Sequence, residues 1–183
     1  MRLVFGISGA SGFCLARDML LALREKGVEI DLVTSAAARR IAAIEGCSVE
    51  DTLALADRAY QNDDMAAEIS SSTCRTDGMI LAPCSLKTLS AVACGYCDTL
   101  ISRCAENTLR MGRKLLVMPR ETPLSAQALG NMRSLALQGA IVMPPVMAYY
   151  SRPRTIADIN ALFVGKALDV FSIDNDYPRW EGL

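Results

Sequence analysis

Five short apolar runs punctuate the chain, at residues 3–7, 30–33, 79–82, 115–118 and 140–143. Apart from Asp31, none of them alternates apolar with polar side chains, so a strand built from any of them is buried on both faces. That environment belongs to a parallel sheet with helices packed over both sides. The intervening stretches 12–26, 36–45, 85–94, 99–111, 125–137 and 156–171 have helical patterning. Strand alternating with helix predicts an α/β, doubly wound fold. With 183 residues and no linker or repeat, one domain covering 1–183 is expected. The loosest region is 57–74, polar and poor in large apolar side chains, which reads as a long excursion over a site.

Composition narrows the function. Nineteen basic against 20 acidic residues lack the positive excess of a nucleic-acid binder. No apolar stretch approaches the ~18 residues of a bilayer span, and the start has no export-signal pattern, so a cytoplasmic protein is expected. There is no histidine. That removes Ser-His and Cys-His nucleophile pairs, imidazole bases and His-ligated metals together. The seven cysteines, an odd number in a chain without an export signal, read as reduced thiols.

In doubly wound folds, ligands bind beyond the carboxyl ends of the strands. The segments there are 8–12, 34–35, 83–88, 119–123 and 144–152, which are rich in small hydroxyls, glycine, Arg and Tyr. Gly9-Ala10-Ser11-Gly12 is a turn whose glycines admit a ligand to the backbone, with a helix N-terminus for a phosphate. It lacks GxGxxG spacing, so a mononucleotide suits it better than a dinucleotide. Ser85-Leu86-Lys87-Thr88 opens another helix, with Ser85 as an N-cap. Arg120-Glu121 follows a strand directly, where a guanidinium grips phosphate and a carboxylate handles a proton. Arg103 and Arg110 share a helix face with Glu106.

These segments, with Asn131-Met132, Met143-Pro144-Pro145-Val146-Met147-Ala148-Tyr149-Tyr150 and Arg179-Trp180, resemble the UbiX-type flavin prenyltransferases almost end to end. The resemblance implies a Rossmann-like, flavodoxin-like, FMN-binding fold that assembles as a homo-oligomer, commonly a dodecamer. It implies that the dimethylallyl group of dimethylallyl phosphate is joined to reduced FMN without a metal. The prenylated FMN then serves a UbiD-type decarboxylase. By motif position it implies FMN contacts at Gly9, Ala10, Ser11, Ser35, Ser85, Leu86, Lys87, Thr88 and Arg120. Arg103, Arg110, Arg120, Tyr150 and Lys166 would meet the prenyl phosphate, and Trp180 would shelter the allyl group. Glu121 matches the catalytic carboxylate, supported by Glu45 and Ser11. A flavin carrier without prenyl transfer would share the fold, and differs in not responding to dimethylallyl phosphate.

Overall fold

The computed structural model describes residues 1–177, 179 and 182. Six parallel strands form one sheet: β1 (Arg2–Ile7), β2 (Glu29–Thr34), β3 (Arg58–Gln61), β4 (Gly78–Cys84), β5 (Lys114–Pro119) and β6 (Ile141–Val142). Their order across the sheet is β3-β2-β1-β4-β5-β6. The chain therefore winds outward from β1 in one direction, then returns to its other side at β4. The helices are α1 (Phe13–Glu25), α2 (Ala36–Ile44), α3 (Val49–Leu53), α4 (Leu86–Ala93), α5 (Leu100–Arg110), α6 (Ala126–Leu137) and α7 (Ile156–Val170).

The apolar runs divide by alternate residues between two cores. Leu3, Phe5 and Ile7 pack under α1 and α7, while Val4 joins Leu100, Ile101 and Cys104 of α5 on the opposite face. Each such side chain, fully withdrawn from water, contributes about 1.5–3 kcal/mol before entropy is counted. The two-sided burial expected of the runs makes this three-layer packing possible and holds for the first four; the fifth becomes the edge strand β6, with Ile141 exposed and Val142 half-buried.

Two expectations need correction. The excursion at 57–74 contains the edge strand β3, and its 3-10 turn Glu68–Ser70 packs on α5 with Ile69 buried. Strand β3 carries polar side chains because they serve Asp31, which is fully buried. Arg2 Nε and Arg58 Nε each donate to Asp31 at 2.6 Å, and Tyr60 adds a 3.4 Å bond. The cysteines are not all reduced thiols: Cys14 and Cys47 are disulfide-bonded, with a Cα–Cα separation of 6.2 Å. The start of α1 and the turn after α2 meet closely enough for the bond, a juxtaposition that residues 33 apart do not advertise. Helix α1 has Gly12, in a left-handed conformation, as its N-cap, with no side-chain cap from its own serines. No helix among the described residues is long and apolar enough to cross a membrane.

Candidate active site

The sheet order reverses between β1 and β4, and a crevice opens there beyond the strand ends. Ser8 binds its two sides together. Its hydroxyl donates to the Pro83 carbonyl at 3.1 Å and accepts from the Ser85 N–H at 2.7 Å. Gly9 then passes so close to α2 that a Cβ would lie 2.4 Å from the Ala37 Cβ. A side chain at Gly9 would push this turn off the helix.

Two helices aim their N-termini into the crevice. Ser35 caps α2 by accepting from the Ala38 N–H at 3.1 Å, and Ser85 caps α4 by accepting from the Thr88 N–H at 3.3 Å. Between them lies a cavity of about 220 Å³ lined by Gly9, Ser35, Asn62, Ser85, Lys87 and Thr88. Its hydroxyls, helix N-termini and the Lys87 ammonium make a donor set suited to a phosphate ester, with the Asp98 carboxylate also on its wall.

At the other end of α2 stands Glu45, the C-cap of the helix, which reaches the turn that follows Gly9. One carboxylate oxygen accepts from the Ser11 hydroxyl and the Gly12 N–H, both at 2.7 Å, and the other accepts from the Cys14 N–H at 3.1 Å. Glu45 is thus the cap that α1 lacks in its own sequence. Burial works to raise its pKa, but the donors from Gly12, Ser11 and Cys14 outweigh it and hold the carboxyl below its ordinary value. The phosphate site expected at the start of α1 is therefore corrected. An acidic side chain already occupies those donors, and the free helix N-termini are those of α2 and α4.

Arg120 closes the rim from β5. Its N–H donates to the Cys84 carbonyl at 3.0 Å, and Nε reaches the Ser11 carbonyl at 3.2 Å. Glu121, next in the chain, is exposed, and its carboxylate accepts only from the adjacent Thr122 N–H, at 3.0 Å, among the bonds of the described residues. Ser11, Glu45, Arg120 and the α4 N-terminus are one continuous cluster.

The other expected residues do not join it within one chain. Tyr150 and Lys166 line a separate cavity of about 300 Å³ with Asp169, Asn175, Tyr177 and Arg179. Arg103 and Arg110 sit on α5, across the sheet from α7. Helix α5 starts at the rim, where Thr99 lines the first cavity, and runs back about 16 Å towards the base of β5. Arg110 is therefore near the far edge, paired with Glu106 at 2.8 Å, while Arg103 Nε donates to the Ser70 carbonyl at 3.1 Å. Trp180 lies outside the described residues.

Comparison with known proteins agrees with this architecture. Residues 1–167 match the Flavoprotein family. A probable UbiX-like flavin prenyltransferase of Escherichia coli is 44% identical over 186 residues, covering all of this chain and 94% of its own length. The flavin prenyltransferase UbiX of Neisseria meningitidis is 44% identical over 184 residues, with 100% and 97% covered. The chain belongs to the UbiX-like flavin prenyltransferases.

Among solved members, the crystal structure of AnUbiX (PadA1) in complex with FMN and dimethylallyl pyrophosphate superposes with a TM-score of 0.97 at 42% identity, covering 100% of this chain and 98% of that one. A dodecameric FMN-dependent UbiX-like decarboxylase from Escherichia coli O157:H7 gives 0.95 at 44% identity, with both chains fully covered. Peptidyl-cysteine decarboxylase EpiD, at 16% identity and a TM-score of 0.60, shares the fold alone.

Two residues of this UbiX-like rim escaped the sequence reading. Ser8 falls in the expected ligand-edge segment 8–12, but a serine ending an apolar run looks like any turn residue, and nothing local marks its bridge to Ser85. Asn62 lines the cavity and holds the start of α5, accepting from the Leu100 N–H at its carbonyl (2.8 Å) and from the Ile101 N–H at its side chain (3.0 Å). It falls in the polar stretch that carried no strand signal.

Proposed function

We infer that this flavin prenyltransferase, working as a single domain, attaches the dimethylallyl group of dimethylallyl phosphate to reduced FMN at the rim formed by Ser11, Glu45, Arg120 and Glu121. One observation carries the assignment of residues: the turn whose Gly9 lines the cavity between α2 and α4 also carries Ser11, which bonds to both Glu45 and Arg120. Gly9, Ala10, Ser35, Ser85, Leu86, Lys87 and Thr88 hold the flavin phosphate and its polyol chain there, and the two helix N-termini supply positive potential. Reduced FMN supplies the electron-rich ring that takes the allyl group.

The chain's own residues do the remainder. Arg120 neutralises phosphate charge as the allylic C–O bond breaks, and a guanidinium suits two phosphate oxygens at once. Glu121, exposed and lightly engaged, carries a proton between the flavin site and the departing phosphate. Glu45 fixes the Ser11 hydroxyl beside them.

Arg103, Arg110, Tyr150 and Lys166 serve the prenyl phosphate only if copies of the chain meet. In one protomer they occupy opposite faces of the sheet, so we infer a homo-oligomer whose subunit boundaries complete the site. The dodecameric Escherichia coli relative supports that assembly. The prenylated FMN passes to a UbiD-type decarboxylase in the cytoplasm.

The test is anaerobic incubation with FMN, a reductant and dimethylallyl phosphate, followed by mass spectrometry of the flavin. A flavin heavier by one prenyl group is expected, and unchanged FMN overturns the reading. Glu121→Gln is expected to bind FMN normally and lose most turnover. Wild-type rates in that variant remove Glu121 from the reaction.

A further inference from the structure

Glu45 is held from two directions. Its carboxylate rests on the Ser11 hydroxyl and on the N–H groups of Gly12 and Cys14. Two residues further along, Cys47 is covalently joined to Cys14 itself. Between them Gly46 adopts φ 70°, a left-handed turn that folds the chain back over the start of α1. The disulfide therefore spans the same two segments that the Glu45 hydrogen bonds span, two residues beyond Gly12 on one stretch of chain and two beyond Glu45 on the other. Without the bond, the turn at 45–47 is tied to its own helix, by Glu45 N–H to the Ile41 carbonyl (2.9 Å), Gly46 N–H to Ala43 (3.4 Å) and Cys47 N–H to Ala42 (2.9 Å), and only the Glu45 carboxylate reaches the start of α1. Ile44 beside it is 80% exposed and adds little packing.

We propose that Cys14 and Cys47 are a positioning pair for Glu45: closed, the disulfide keeps the carboxylate seated on Ser11 and the α1 N-terminus, and opening it lets Glu45 leave that seat and slows prenyl transfer. This rests on the reading that Glu45 acts at the flavin rim. The opening reaction is thiol–disulfide exchange. A dithiol reductant attacks one sulfur, the Cys14–Cys47 bond breaks, and the mixed disulfide resolves to leave two protein thiols and the reductant's own disulfide. Two electrons and two protons pass to the protein, and a disulfide oxidant reverses the exchange. Cys14 is only half-buried, which gives the attacking thiolate a way in, whereas Cys47 is buried. Of the five free cysteines, Cys104 and Cys84 are poor competitors, since burial pushes the Cys104 thiol up to about 12 and that of Cys84 well above its ordinary value.

The effect falls on rate rather than on binding. The cavity that takes the flavin phosphate is built by α2, α4 and the turn at Gly9, none of which the disulfide crosses. Losing the seat of one charge-assisted acceptor is expected to lower kcat about five- to tenfold with KM for both substrates unchanged.

The experiment uses the full-length protein at two thiol counts, five when closed and seven when opened by a dithiol that is then removed. FMN is reduced photochemically so that the assay itself adds no thiol. The seven-thiol protein is expected to show the lower kcat, and reoxidation with a disulfide oxidant to restore it. Cys47→Ser is expected to run at the opened rate with or without reductant. Equal kcat at five and seven thiols overturns the proposal, as does a protein that shows seven thiols under every oxidising condition. Glu45→Gln in the closed state separates the underlying reading: full activity there overturns both, while lost activity there with no effect of opening overturns the positioning pair alone.

Discussion

The Ser85 N–H donates to the Ser8 hydroxyl at 2.7 Å, across 77 residues of sequence, at the one place where the sheet reverses its winding. Ser8 is buried and its hydroxyl donates a hydrogen bond to the Pro83 carbonyl, so it joins the turn after β1 to the turn after β4. Ser8→Ala leaves the part-buried Ser85 N–H without its acceptor, while the Pro83 carbonyl keeps the Ser8 backbone N–H at 3.2 Å, at a cost of about 1–3 kcal/mol. The variant is expected to melt several degrees lower and to bind FMN more weakly, because the α4 N-terminus is no longer registered against Gly9. Calorimetry and flavin fluorescence titration check both. An unchanged FMN affinity would show that the link is structural only.

Five of the six strands were legible because runs such as 3–7 and 115–118 are apolar on both faces, a demand few other folds make. Strand β3 was not, since its alternating Arg58-Ala59-Tyr60-Gln61 has its polar side chains answered by Asp31, 27 residues away from Arg58. The site was legible where a motif sits on a single turn, as at Ser85–Thr88. It was illegible where function depends on two turns meeting. Glu45 capping α1, Ser8 bridging to Ser85, and Cys14 bonding Cys47 are all products of the winding, and local spacing carries no trace of them.

Gly9 offers a test with a built-in rescue. The obstacle to a side chain there is the Ala37 Cβ at 2.4 Å, with the next atoms at an ordinary 3.6 Å. Gly9→Ala is expected to displace the turn and weaken FMN binding at least tenfold, about 1.4 kcal/mol or more. Adding Ala37→Gly removes the clashing atom and should recover much of the loss, a coupling that a double-mutant cycle measures directly. If the second change restores nothing, the clash is not the cause.

The Asp31 cluster governs stability rather than chemistry. Asp31 is fully buried and answers two guanidinium groups at 2.6 Å each. Asp31→Ala strands Arg2 and Arg58 against the sheet edge and is expected to cost about 3 kcal/mol. For a chain of this length that is a fall in Tm of roughly 6–12 °C. Glu29→Gln, which touches Arg58 from an exposed position, is expected to cost less than about 1 kcal/mol. Thermal melts of the two variants side by side decide whether burial sets the difference.

Glu45 makes the fold sensitive to acid in a defined direction. Three donors hold its carboxyl below the ordinary value of 4.5, so its contribution is complete above that pH and is lost as pH falls through the folded pKa. Glu45→Gln can still accept from Ser11 and Gly12 through its amide oxygen, but it offers the Cys14 N–H no second carboxylate oxygen and the α1 N-terminus no charge. The variant should be less stable than the wild type at about pH 7, and the gap should close as the wild-type carboxyl protonates below about pH 4.5. Denaturant titrations across that range read the gap directly. A gap that stays constant into acid would mean that Glu45 is not held as an anion at the start of α1, and its place beside Ser11 would need another explanation.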